Sequence, residues 1–324
     1  VRAVQRMADA GPQDAVLLTV KAHQVKDLLP ELRDLFGPQT MVVSMINGVP
    51  WWYFQRLAGP YEGRVLESVD PGGSIAADNV AKSPPDGYSV LLGNIGSHAL
   101  VPHLYARPSY DALVDLETVA WIGTQPNLLA CNPSFPLDTL PKLIAAAKEA
   151  PGKYSFGSSG LGTSPTLTME MLKRKVGADI TFISYRGAAA AAADVLAGHV
   201  PLVISNIDSL MGQVSAGKLK PVATTGAKRS AILPDTPTFA ETAGPDLIVT
   251  SWSIWSVPRG TPQAAKDKLR EATERALKEP DVIASMRQGG FEPGSLSVPE
   301  IDAFIKTERE RWSKIIKDAN IKAE

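Results

Sequence analysis

The sequence feature that most constrains the fold is a regular alternation of short apolar runs with helical patterns. Strands separated by helices usually pair in parallel through right-handed crossovers, so we expect an α/β fold with mostly parallel sheets. Between residues 119 and 205, the pattern predicts strands at 119–123, 127–131, 153–156, 179–184 and 200–205, and helices at 140–149, 166–176 and 188–197.

The flanking segments extend this pattern. Residues 14–46 predict a β-α-β unit with strands at 14–20 and 41–46. The last helix is expected to begin at the capping box Ser297–Glu300, and Thr261-Pro262 is expected to begin the helix before it. Shorter elements are predicted as strands at 65–69 and 88–92 and as a helix at 75–82.

Length and charge limit the function classes. A chain of 324 residues fits about two domains of ~150 residues. Its formal net charge of −1 gives no general attraction to nucleic acid or to an anionic membrane. The single cysteine, Cys131, excludes an internal disulfide. No apolar run approaches the ~18 residues that span a bilayer, and the sequence opens without a signal-peptide pattern, so we expect neither.

The stretch Gly157–Pro165 places small polar residues between a predicted strand and a predicted helix. Glycines allow close backbone approach, and the first N–H groups of a helix attract anions. We interpret this stretch as a candidate anion-binding loop, with Ser164 as the helix cap and Pro165 at the first helical position. An ordinary turn before a capped helix is the alternative reading.

Polar residues also follow two neighbouring predicted strands. Tyr185-Arg186-Gly187 follows one strand and Asn206 follows the next. Ligands bind open α/β sheets at the carboxyl ends of parallel strands, so we expect these residues to share one pocket with the loop. Arg186 either pairs with a ligand carboxylate or is a solvated arginine at a helix start.

Catalytic and cofactor signatures are weak. Residues 157–165 contain no His, Asp, Glu or Lys to act as a base, and Leu161 breaks the nucleophile-elbow pattern. A near match to the phosphate-binding loop fails at Leu219, which stands where a hydroxyl should bind Mg²⁺. The four histidines have no metal-ligand spacing, and no dinucleotide-binding glycine motif occurs. We therefore expect no catalytic residue, cofactor or metal.

From about Gly73 to the C-terminus, the chain carries an ordered series of motifs: Gly73–Leu92, Gly157–Ser164, Tyr185–Gly187, Gly217–Leu219, Leu233–Thr238 and Gly260–Pro262. In these motifs the chain resembles the Bug-type receptors of tripartite tricarboxylate transporters. The resemblance implies a two-lobed periplasmic binding protein that closes on a small carboxylate without transforming it. It also implies membrane transporter subunits as partners. The candidate ligand contacts are Ser97 on one lobe and Ser158, Ser159, Gly160, Thr163, Ser164, Tyr185, Gly187 and Asn206 on the other.

Two departures from that family stand out. The family usually has asparagine at the position of Leu161 and a histidine near Pro165 or Thr166. Its opening strand, glycine-rich loop and helix are absent. Residues 12–71 instead contain the motifs Thr19–Val25, Asn47–Val49 and Val69–Pro71, in which they resemble part of 2-dehydropantoate 2-reductase. In that family the residues matching Lys21 and Asn47 serve the cofactor and substrate site. The nucleotide-binding motif and the catalytic domain are missing, which argues against hydride transfer.

The chain is therefore interpreted as a fusion whose seam lies near Pro71–Gly73. The main hypothesis is a carboxylate receptor that acts as a monomer; the alternatives are an NADPH-dependent ketopantoate reductase fragment or a non-functional fusion.

We expect two lobes, with lobe 1 comprising residues 73–124 and 250–324 and lobe 2 comprising residues 125–249. Residues 1–72 are expected to pack on lobe 1. We also expect Ala15–Val20 to pair in the same sheet as Tyr88–Leu92, with the loop Lys21–Gln24 facing the cleft.

Overall fold

The computed structural model describes residues 13–18, 36–44, 73–105, 107–319 and 321. The strands are β1 (Gln13–Leu18), β2 (Phe36–Ser44), β3 (Leu91–Asn94), β4 (Leu116–Cys131), β5 (Tyr154–Ser158), β6 (Ile180–Ser184), β7 (Leu202–Asn206), β8 (Lys220–Thr224), β9 (Thr250–Pro258) and β10 (Glu292–Pro293). The α-helices are α1 (Ser74–Ala81), α2 (Val101–Leu104), α3 (Ala112–Asp115), α4 (Leu140–Glu149), α5 (Ser164–Val176), α6 (Ala188–Leu196), α7 (Ile207–Ser215), α8 (Phe239–Ala243), α9 (Gln263–Ala276), α10 (Pro280–Gln288) and α11 (Val298–Ala319). A π-helical turn, Gly96–Leu100, precedes α2, and a 3-10 turn, Pro245–Leu247, follows α8.

Strands β1 and β2 form a parallel two-stranded sheet, as a β-α-β unit requires. Among the described strands, β1 has no partner in the larger sheet, so the predicted pairing of Ala15–Val20 with the sheet of Tyr88–Leu92 is wrong there. The physical reason is local: β1 pairs with the next apolar run in its own unit, while β3 pairs with β9. Lys21–Gln24, Asn47 and the predicted strand at 65–69 lie outside the described residues.

The larger sheet is mixed and not mostly parallel as predicted. Its strand order is β3-β9-β4-β7-β5-β6, and β8 and β10 also pair with β4. Within the described sheet, β5 pairs in parallel with β6 and β7, whereas β4 pairs antiparallel with each of its neighbours. The cause is the long strand β4, because the chain returns alongside it four times in the opposite direction, as β7, β8, β9 and β10.

Strand β4 runs through both halves of this sheet. From Leu116 to Pro126 it pairs with β9, and from Asn127 onward it pairs with β7 and β8. The two strands predicted at 119–123 and 127–131 are therefore one continuous strand of 16 residues. Pro126, which cannot donate a backbone hydrogen bond, occupies the point where the partners change.

The buried apolar side chains form several clusters, and one of them joins the two halves of the sheet because it includes Leu167 of α5. One cluster is aromatic and includes Trp121, Trp252 and Trp312, with the Trp121 and Trp252 rings stacked 6.2 Å apart. Two further clusters, around residues 128–247, pack α4 and α5 on one face of the sheet and α6 and α7 on the other. Among the described helices, none has the length and apolar character needed to cross a membrane.

Candidate functional site

The carboxyl ends of β5, β6 and β7 lie at one edge of the sheet, because these three strands run parallel to one another. Ser158 ends β5, Tyr185 follows β6 directly, and Asn206 ends β7. The structure thus brings the three predicted segments to one edge, as the sequence indicated. Ser158 and Tyr185 are also joined directly, since the Tyr185 N–H donates to the Ser158 carbonyl at 2.9 Å.

The predicted anion-binding loop begins at this edge and leads into α5. Thr163, and not Ser164 as predicted, is the residue that precedes the helix. Its hydroxyl donates to the Gly160 carbonyl at 2.8 Å, and the Thr166 hydroxyl donates to the same oxygen at 2.7 Å. Gly160 adopts φ +113°, a conformation that other residues rarely take, so the loop needs glycine at this position.

Ser158 presents a buried hydroxyl on the face of the sheet that α5 covers. Side chains alternate along a strand, and Phe156, two residues earlier, packs against Met169 and Leu172 of α5. The Ser158 side chain is fully buried, and its Oγ has no hydrogen-bond partner among the described residues. A buried hydroxyl without a partner is costly, which makes this group a candidate for contact with a ligand.

Four polar side chains form a hydrogen-bonded network, which we call the crossing network: Asn127, Ser164, Asn206 and Ser251. The Ser251 Oγ lies 2.7 Å from Asn206 Oδ1 and 2.8 Å from Ser164 Oγ. Longer contacts of 3.3 and 3.4 Å join Ser251 and Ser164 to Asn127 Oδ1. None of the four side chains is charged, so the network contains hydrogen-bonding groups and no partner for a salt bridge.

The crossing network draws on four different elements. Asn127 comes from β4, Ser164 from α5, Asn206 from β7 and Ser251 from β9. Asn127, Ser164 and Ser251 are each less than one-tenth exposed, whereas Asn206 is half-buried. The network therefore lies where β4 and β9 pass between the two halves of the sheet.

Tyr185 and Gly187, two further predicted ligand contacts, lie in the segment between β6 and α6. The Tyr185 ring lies on the opposite face from Ser158, near Gly157 and α6. Its hydroxyl donates to Asp194 Oδ2 at 2.7 Å, and burial together with this carboxylate raises the pKa of Tyr185 to about 12. Gly187 precedes α6 with φ +135°, and Arg186 is exposed.

Ser97 lies in the other half of the sheet, in the π-helical turn after β3. Its side chain is only 1% exposed, and its Oγ accepts the Asn94 N–H at 3.0 Å. The same oxygen lies 2.9 Å from His98 Nδ1, and His98 Nε2 lies 3.1 Å from Ser256 Oγ. Burial, reinforced by the positive charge of Arg309, lowers the pKa of His98 to about 4. Ser97 is thus held by neighbours of its own half and does not join the crossing network.

Sequence reasoning missed Asn127, Thr166 and Ser251. Asn127 lies in β4 and Ser251 in β9, and both are within three residues of the boundaries expected between the lobes, at 124/125 and 249/250. Their position in the sequence was the signal by which these two residues could have been found.

Two open grooves, of about 590 and 650 Å³, have no lining residue in common with the crossing network. No group of His, Cys, Asp or Glu suited to a metal ion occurs among the described residues.

Comparison with known proteins separates two parts of the chain. Residues 1–50 match the family described as ketopantoate reductase PanE/ApbA. A 2-dehydropantoate 2-reductase of Mesorhizobium japonicum is 49% identical over 75 residues, but these residues make up only 23% of each chain. This short match does not support a reductase.

Residues 65–321 match the family described as the tripartite tricarboxylate transporter family receptor. BugT of Bordetella pertussis is 32% identical over 260 residues, covering 80% of this chain and 79% of BugT.

Solved structures agree with this assignment. An R. palustris protein solved with adipate is 29% identical, with a TM-score of 0.75 over 94% of this chain and 96% of that one. The periplasmic binding protein BugD is 26% identical, with a TM-score of 0.76 over 96% and 99% of the two chains. The α/β fold and the resemblance to Bug-type receptors are thereby confirmed. The chain belongs to the family of tripartite tricarboxylate transporter receptors.

Proposed function

We propose that this protein is a periplasmic solute-binding receptor that holds a small organic carboxylate at the edge formed by β5 and β7, beneath the start of α5. The observation that carries the proposal is the buried, unpartnered Oγ of Ser158, at the same edge of the sheet as Asn206 of the uncharged crossing network. A carboxylate only accepts hydrogen bonds, and these groups supply donors without a catalytic base. The R. palustris relative solved with adipate supports a dicarboxylate as the first ligand to test.

We further propose two lobes, one of residues 73–124 and 250–324 and the other of residues 125–249. The division is supported by the change of β4 partners at Pro126 and Asn127 and by the start of β9 at Thr250. Two strands that cross at one place permit a hinge, and ligand would bind in the cleft that the hinge closes.

We propose that the receptor acts as a monomer and delivers its ligand to membrane transporter subunits.

A thermal-shift screen tests this function. The panel contains adipate and other dicarboxylates, tricarboxylates, aromatic acids and acidic amino acids. A ligand at 100 times its Kd should add about 2.7 kcal/mol to the free energy of unfolding. Turnover of ketopantoate with NADPH, followed by absorbance, is the matched assay for the reductase alternative. Stabilisation by a carboxylate without turnover is the expected result, and measurable turnover would overturn the receptor assignment.

Substitutions in the loop then locate the site. Ser159→Ala should weaken binding of the best carboxylate by about 1–3 kcal/mol, the value of a hydrogen bond to a charged group. Ser159→Asp should abolish binding through like-charge repulsion. If both variants bind as wild type does, the carboxylate lies elsewhere.

A further inference from the structure

We propose that Ser251 is a positioning residue that holds the side-chain amide of Asn206 with its Nδ2 group toward the bound carboxylate. The proposal rests on the carboxylate-binding function proposed above. Ser251 belongs to β9, and Asn206 ends β7, so the pair joins the two halves of the sheet at the crossing.

The direction of the hydrogen bonds follows from the chemistry of the groups. Asn206 Oδ1 only accepts, so the Ser251 hydroxyl donates its single proton across the 2.7 Å contact. Ser251 Oγ is then left as an acceptor, and the Ser164 hydroxyl donates to it across 2.8 Å. The result is a chain of donors that runs from Ser164 through Ser251 to Asn206.

This chain fixes which end of the Asn206 amide is available. A planar amide whose oxygen is held on one side presents its Nδ2 donors on the other side. Nδ2 makes no hydrogen bond with the described residues, and Asn206 is only half-buried. The available group is therefore a donor, which suits a carboxylate; the flipped amide would present an oxygen and repel it.

Burial makes the arrangement specific. Ser164 is 1% exposed and Ser251 8% exposed, so water cannot easily replace either partner. Without the Ser251 hydroxyl, the two amide orientations would become closer in energy, and the half-buried Asn206 would present oxygen part of the time. Ser251 thus acts on the ligand through Asn206 and without touching it.

The test combines affinity measurements with a readout that needs no ligand. Adipate is titrated calorimetrically into wild type, Ser251→Ala, Asn206→Ala and the double variant. Ser251→Ala should lower the affinity about ten-fold, equivalent to roughly one lost hydrogen bond. The double variant should bind no more weakly than Asn206→Ala alone, because Ser251 acts through Asn206. Ser251→Thr, which keeps the hydroxyl, should restore most of the affinity, and Ser253→Ala on the same strand is the matched control.

In ligand-free protein, the Asn206 side-chain NH₂ signals in a ¹⁵N spectrum should broaden or shift in Ser251→Ala but not in Ser253→Ala. Additive losses in the double variant, or an unchanged affinity in Ser251→Ala, would overturn the inference even where adipate binds. Unchanged Asn206 signals in Ser251→Ala would also overturn it. If wild type binds no carboxylate of the panel, the proposed function fails separately, and the amide spectrum alone decides how Ser251 orients Asn206.

Discussion

Asn127 and Thr225 hold each other by two hydrogen bonds at the point where β4 leaves one half of the sheet. The Asn127 N–H donates to Thr225 Oγ1 at 2.8 Å, and the Thr225 N–H donates to the Asn127 carbonyl at 3.0 Å. Thr225 also ties down the returning segment, because its hydroxyl donates to the Val249 carbonyl and its own carbonyl accepts the Val249 N–H. Thr225 therefore forms hydrogen bonds with both segments that pass between the halves of the sheet, one at Asn127 and the other at Val249.

Replacing Thr225 by the isosteric valine should lower the free energy of unfolding by about 1–3 kcal/mol, because the buried Asn127 N–H and Val249 carbonyl each lose a partner. Urea titration measures the change. Thr181→Val, at an exposed position on β6, is the control and should stay within about 0.5 kcal/mol of wild type. Equal free energies of unfolding for the two variants would show that the Thr225 hydrogen bonds do not stabilise these two segments.

Gly123→Ala should destabilise the protein by several kcal/mol. A Cβ at residue 123 would lie 2.2 Å from the backbone oxygen of Glu292 on β10, and the residue has φ +154°. The neighbouring atom is backbone and cannot move aside cheaply, so strain adds to a broken strand pairing. Gly212→Ala in α7 is the matched control, because a Cβ there meets nothing within 4 Å and alanine favours a helix by about 1 kcal/mol. Thermal melts of the two variants should move in opposite directions.

Ser158→Ala should separate stability from binding. Without ligand, the variant should be as stable as wild type or more stable by about 1 kcal/mol, because it removes a buried hydroxyl that has no partner. Its affinity for adipate, measured by calorimetry, should fall by about 1.5–3 kcal/mol because the carboxylate loses a donor. Ser209→Ala, at an exposed position, should alter neither quantity. A loss of stability with unchanged affinity would assign Ser158 a structural role.

His98 should make the free energy of unfolding fall at acidic pH. Its pKa in the fold is about 4, below the ordinary value of 6.5, so between these values the unfolded chain binds more protons than the folded one. Stability contributed by neutral His98 is therefore present at pH 7 and is lost as the pH falls from 6.5 towards 4, by at most roughly 3 kcal/mol. Urea unfolding at pH 7 and pH 4.5 measures the loss. His98→Gln should reduce it, whereas His199→Gln, at an exposed position, should not.

Much of the fold between residues 125 and 249 was predictable because its elements are local. The helix predicted at 140–149 has those bounds, and the strand at 179–184 differs from β6 by one residue. Apolar periodicity and caps determine such elements within a few residues of sequence. Strand direction is different, because it depends on partners far along the chain. Nothing within β4 shows that β7, β8 and β9 all return antiparallel to it, and so the sheet is mixed.

The candidate site was predictable to a similar extent. Ser158 and Asn206 were predicted to share one edge of the sheet because the carboxyl ends of parallel strands meet there, and the paired strands β5 and β7 agree with that placement. The face that a side chain occupies was not foreseen for Tyr185, whose hydroxyl bonds to Asp194 on α6. Ser251 escaped notice because its partners, Asn206 and Ser164, are 45 and 87 residues away. Contacts at such separations come from the assembled sheet and leave no local pattern.

The unbroken strand β4 bears on how this protein comes apart. Its 16 residues share one ladder with β9 and another with β7 and β8, and the two ladders meet without a loop between them. If β4 separates from its partner strands on one side of Pro126, the ladder on the other side therefore loses part of the strand that supports it. The lobes proposed here can tilt about this strand, yet they should melt together in one cooperative transition. The amide protons near Asn127 should be among the slowest to exchange with deuterium.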